Sequence, residues 1–136
     1  MTRIERPATT QAFRDRFAAS MLPLDGALRR LLAAAQGPAG LSVLLLLGRD
    51  PQTFDTPEGF AARLQYPLAD VRKALTSLCE HGILRMYVHP GADPASVSYW
   101  LPEDAAVQEA LHRLCQLHCS GPAARYGILL TMAASL

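Results

Sequence analysis

The chain has 136 residues, half of them apolar and 18% charged, the composition of one globular domain rather than of an intrinsically disordered chain. Thirteen Lys and Arg stand against twelve Asp and Glu, so the strongly basic balance that points to nucleic acid or an anionic membrane is absent and any such contact must be local. Three cysteines without a signal-peptide pattern read as reduced thiols of an intracellular, cytoplasmic protein, and the longest apolar run, Val43 to Leu47, is far short of the roughly 20 residues that span a bilayer.

Met1 to Ala8 shows no periodicity and suits a flexible arm. Thr9 and Thr10 are candidate N-caps for a helix with Ala12, Phe13, Phe17 and Met21 at helical spacing, ended by Pro23. A second helix is predicted from Asp25 to about Gln36, where Leu28, Leu31, Leu32 and Ala35 follow the i, i+3, i+4, i+7 rule and Gly37-Pro38 stops it. Leu41 to Leu47 is apolar nearly all round. Periodicity alone leaves strand or helix open there, and the context favours a short buried helix.

Thr56-Pro57-Glu58 starts the next helix: Thr56 caps, Pro57 sits where no amide hydrogen is missed, and Glu58 suits the dipole. Tyr66-Pro67 breaks it. A new helix follows, with Val71, Ala74, Leu75, Leu78 and Cys79 on its inner stripe and Gly82 as its left-handed stop. The period then becomes two. Leu84, Met86 and Val88 share one face against Arg85, Tyr87 and His89, and Val97, Tyr99 and Leu101 alternate with Ser98 and Trp100, which predicts a hairpin with a seven-residue connection over 90–96. Pro102-Glu103-Asp104 opens another helix carrying Val107, Ala110, Leu111, Leu114 and His118 on one face, closed by Gly121-Pro122. The tail from Ala123 is mostly apolar and must be covered by the core or by a partner.

A buried helix, a capped helix, a tight turn, an amphipathic helix ending in Gly and a hairpin are the ordered parts of a winged helix-turn-helix. Thr56-Pro57-Glu58-Gly59-Phe60-Ala61-Ala62-Arg63-Leu64, then Pro67 to Leu75, then Leu78-Cys79-Glu80-His81-Gly82-Ile83-Leu84 resemble the pattern of bacterial MarR-like and ArsR-like transcriptional regulators over about residues 41 to 101. The fold class implied is mainly α (α+β), with a two-stranded wing and flanking helices. Residues 1–40 and 105–136 are then packing or dimerisation segments around a unit at 41–104, within one compact domain. The resemblance implies a homodimer that reads double-stranded DNA through the second helix of the motif, whose outward positions here are Ala69, Asp70, Arg72, Lys73, Thr76 and Ser77. Arg72 and Lys73 are the first candidates for a phosphate or a guanine.

Charge argues in the other direction. Residues 54–101 hold four cations, Arg63, Arg72, Lys73 and Arg85, against five acids, and residues 90–96 carry Asp93 and no Arg or Lys. Met1 to Gln36 has six arginines against three acids, so a basic arm could supply phosphate contacts that the motif lacks. The alternative function is a winged-helix protein-interaction module without DNA binding. His112, Cys115, His118 and Cys119 crowd one helix and are weak candidates for a metal or redox sensor, with Cys79 and His81 as outside ligands. Against a sensor, Cys79 falls on the inner stripe of its own helix and His118 continues the apolar face of Val107, Leu111 and Leu114, so both have ordinary core explanations. No phosphate-cradling glycine loop, nucleophile elbow, HExxH spacing or paired carboxylate is present, so neither an enzyme nor a cofactor is expected. Twelve arginines to one lysine with abundant alanine fit a GC-rich genome and a bacterial source.

Overall fold

The computed structural model describes residues 26–91 and 96–134. The predicted arm, the helix capped at Thr9 or Thr10 and the acidic tip at Asp93 lie outside them. The described chain forms α1 (Gly26–Ala35), α2 (Pro38–Arg49), β1 (Phe54–Asp55), α3 (Pro57–Leu64), α4 (Leu68–Glu80), β2 (Arg85–Val88), β3 (Val97–Trp100), α5 (Ala105–His118) and α6 (Pro122–Ala134). The three strands make one antiparallel sheet in the order β1-β3-β2. None of the described helices is long and apolar enough to cross a membrane.

The segment that periodicity left open is a helix. In α2, Ala39, Leu41, Val43, Leu44 and Leu47 are buried, which a helix achieves only when it is packed on several sides. α2 packs against α1, α3, α4 and α5. Two glycines allow the close approaches this requires: a Cβ on Gly40 would meet the Ala35 backbone, and one on Gly48 would meet Cys115 Sγ and come within 3.1 Å of the Leu111 carbonyl oxygen. α1 buries the predicted Leu28, Leu31, Leu32 and Ala35. The α1–α2 turn is made by Gln36 and Gly37, both at positive φ, and Pro38 begins α2.

The helix-turn-helix itself follows from local chemistry. Gly59 N–H donates to Thr56 Oγ1 at 3.1 Å, the predicted N-cap, and Pro57 occupies the first helical position. Asp55 steadies the same turn, accepting from Thr56 N–H at 2.8 Å and Arg63 Nε at 3.0 Å. Gln65 ends α3 in the left-handed region (φ 58°), and Pro67 then caps α4. At the far end Gly82 (φ 74°) reverses the chain, with Ile83 N–H donating to Leu78 O at 2.9 Å.

A contiguous core of buried side chains runs from Leu28 to Met132. α5 is capped by Asp104, whose Oδ1 accepts from Ala106 and Val107 N–H, and buries Ala110, Leu111 and Leu114. Together these elements form a winged helix-turn-helix: six described helices and a small antiparallel sheet.

Two sequence expectations change. The sheet has a third strand, β1, where Phe54 pairs with Trp100 and Asp55 with Tyr99. The apolar face predicted for the hairpin is buried only at its base: Leu84 and Leu101 are buried, whereas Met86 and Val88 are exposed. The strands run on past the edge of the core, so alternation there separates two exposed faces instead of an inside from an outside.

Candidate nucleic-acid interface

α4 is amphipathic in a single phase. Val71, Ala74, Leu75 and Leu78 are buried against the core, while Ala69, Asp70, Arg72, Lys73 and Thr76 are all exposed. Those five occupy the outward face that the sequence assigned to them. Ser77 does not. It is 4% exposed, and its hydroxyl donates to the Ala34 carbonyl at 2.7 Å. That carbonyl lies four residues before Pro38, whose nitrogen has no hydrogen to give it. Ser77 therefore joins α4 to the end of α1 and is unavailable to a groove.

The exposed cations are not all alike. Arg72 Nη2 lies 2.7 Å from Glu58 Oε1 in the first turn of α3, and Arg63 Nε lies 3.0 Å from Asp55 Oδ2. Lys73 forms no ion pair among the described residues. The Glu58 carboxyl is held below its ordinary value chiefly by backbone hydrogen bonding; desolvation opposes this, and the Arg72 charge and its hydrogen bond add to the lowering. Beside α4, burial pushes the Tyr99 phenol above its usual range and the nearby Cys79 adds to this, while the Thr76 hydroxyl and Arg72 pull it back. A cleft of about 240 Å³ opens between the α1–α2 turn and α4, lined in part by Gln36, Gly37, Tyr66, Asp70 and Lys73.

Sequence reasoning missed the aromatic cluster of Phe54, Tyr87 and His89 on the outer face of the sheet. Direct pairing and alternation put Phe54, Arg85, Tyr87, Ser98 and Trp100 on one side. Phe54 is 50% exposed; its ring centroid lies 6.2 Å from those of Tyr87 and His89, and the latter two are 5.1 Å apart and edge-on. His89 Nε2 is hydrogen-bonded to Ser98 Oγ at 2.8 Å beneath them. On the opposite side Met86 is 60% exposed and Val88 is exposed beside it. Exposed apolar side chains thus stand on both faces of the sheet. The signal available in the sequence was Phe54 standing directly before a capped turn, too short a stretch to carry a period.

The His and Cys residues of α5 do not assemble. Among the described residues no group of three or more His, Cys, Asp or Glu side chains could hold a metal ion, so His112, Cys115 and Cys119 form no such site. Cys115 instead points at α2, its Sγ donating to Leu45 O at 3.6 Å across the gap left by Gly48. Burial pushes its thiol upward, with Arg49 opposing and Cys119 reinforcing. Burial, aided by Glu80, does the same for Cys79. Neither is the low-pKa thiolate that a redox sensor needs.

No protein-family model matches the chain, and no curated protein does. Among solved structures it is similar to the crystal structure of a MarR family transcription regulator, at 17% identity and a TM-score of 0.46, with 94% of this chain and 82% of that one covered.

Proposed function

We propose that this winged helix is a sequence-specific DNA-binding transcriptional regulator of a bacterial cytoplasm, acting as a homodimer with α4 in the major groove. The observation that carries the reading is the face of α4, where Ala69, Asp70, Arg72, Lys73 and Thr76 are all exposed on one side while the other side is fixed in the core. The groove admits one helix, with side chains near the helix N-terminus touching base edges. The residue types suit the task. Arginine and lysine pair with guanine or phosphate, aspartate accepts from the cytosine amino group, and alanine and threonine present methyl groups to thymine. With so few cations, affinity is modest and weakens as salt rises, with a slope set by the few phosphate contacts made.

Two copies double the cationic contacts and set two α4 helices about 34 Å apart on a palindromic site. Tyr126 and Leu129, exposed on α6, are the apolar surface that supports pairing. Leu28, Leu31, Leu32, Ile128 and Met132 do not contribute to it, because they are already buried and α1 packs on α6 within one chain.

A second reading, a protein-interaction module that touches no DNA, is favoured by the wing: Phe54, Met86, Tyr87 and Val88 are exposed on a small sheet, the composition of a partner-binding surface rather than of a phosphate-tracking one. Fluorescence anisotropy with a mixed-sequence duplex at low and physiological salt separates the two. DNA binding predicts association that weakens with salt and is lost in Arg72→Ala, Lys73→Ala. Absence of binding at low salt leaves the interaction module.

A further inference from the structure

Arg72 is occupied before any ligand arrives. Its guanidinium is held at 2.7 Å by Glu58, fourteen residues earlier and on the preceding helix, so the pair bridges the two helices of the motif. The pair sits at the surface, with the Arg72 and Glu58 side chains 49% and 56% exposed. Exposed pairs of this kind contribute little to folding and are screened by salt. Stability therefore gives no strong reason for this one. Its position gives another: a phosphate approaching Arg72 must displace Glu58 and meets the repulsion of that carboxylate.

We infer that Glu58 gates Arg72, a role that rests on the DNA-binding reading above. In the free protein the carboxylate holds the guanidinium and opposes binding to phosphate at large. Guanine O6 and N7 offer the planar guanidinium two acceptors on an uncharged edge, so the neighbouring carboxylate does not repel them as it repels a phosphate. Glu58 is thus a positioning residue that acts through Arg72. It gives up nonspecific affinity in return for discrimination, the repulsive element that specificity commonly requires.

The test is a double-mutant cycle read by anisotropy on a mixed-sequence duplex at low salt, with wild type, Glu58→Gln, Arg72→Ala and the double variant. Glu80→Gln, an equal change of charge at the other end of α4, serves as control. Glu58→Gln is expected to bind about five-fold more tightly than wild type, the scale of one exposed pair. That gain should shrink in the Arg72→Ala background to the level seen for Glu80→Gln. Glu58→Asp, which keeps the charge on a shorter stem, should recover part of the gain. Wild-type binding with no gain in Glu58→Gln overturns the gate, as does an equal gain with and without Arg72, which would be long-range electrostatics alone. No binding by wild type or Glu58→Gln overturns the DNA-binding reading and the gate with it. Matching circular dichroism melts establish that all variants are folded.

Discussion

Ser77→Ala tests the phase of α4 from the inside. The Ser77 hydroxyl is buried and donates to Ala34 O at 2.7 Å, at a point in α1 where the residue four ahead is Pro38. Removing it leaves a buried carbonyl without that donor, a loss of about 1–3 kcal/mol. For a chain of this size the melting temperature should fall by roughly 3–12 °C. Thr76→Ala, one residue away on the exposed face, should stay within about 0.5 kcal/mol of wild type. Thermal and urea denaturation followed by circular dichroism measures both, and an unchanged urea slope would confirm that only stability has moved. Duplex affinity of folded Ser77→Ala should equal that of wild type. A Ser77→Ala protein as stable as Thr76→Ala would rotate α4 away from the described phase and undo the assignment of its outward face.

Gly48→Ala should destabilise by about 1–3 kcal/mol despite the better helix propensity of alanine, because the new Cβ meets Cys115 Sγ and the Leu111 carbonyl; calorimetry on Gly48→Ala with and without Cys115→Ala should show partial recovery in the pair. Acid should weaken the fold through His118. Burial first, then Arg125 and Arg49, hold its imidazole below the ordinary 6.5, so the unfolded chain takes up the proton first as pH falls. The stability of the neutral ring is therefore complete above about pH 6.5 and declines below it. Melting temperatures at pH 7.5 and 5.5 should differ less in His118→Gln than in wild type, and an equal difference would remove His118 from the account. Leu129→Glu should shift the mass seen by light scattering from dimer to monomer; a wild type that is already monomeric would refute the proposed pairing.

What the sequence made legible is what local chemistry controls. The Thr56 cap, the stop at Gly82 and the Asp104 helix start each depend on a few neighbouring residues, and the order of elements followed from them. What escaped depends on distant partners. Ser77 is polar and adjoins the buried stripe of α4, and only the carbonyl of Ala34, 43 residues away in sequence, draws it inward. β1 is two residues long and exists because Tyr99 and Trp100 come to lie beside it. Met86 and Val88 carry an inward-facing pattern, yet the core reaches only to Leu84 and Leu101. Of the outward residues of α4, five could be read from periodicity. The hold of Glu58 on Arg72 could not, since fourteen residues and a turn separate them.

Amide NMR of the isotope-labelled protein during addition of a duplex reports which face of the winged helix meets DNA. Shifts should cluster at Ala69, Asp70, Arg72, Lys73 and Thr76 and fade as salt is raised. No shifts on α4 at low salt, with perturbation across Phe54, Met86 and Val88 on addition of a protein partner instead, would contradict DNA binding through α4 and make the wing the working surface.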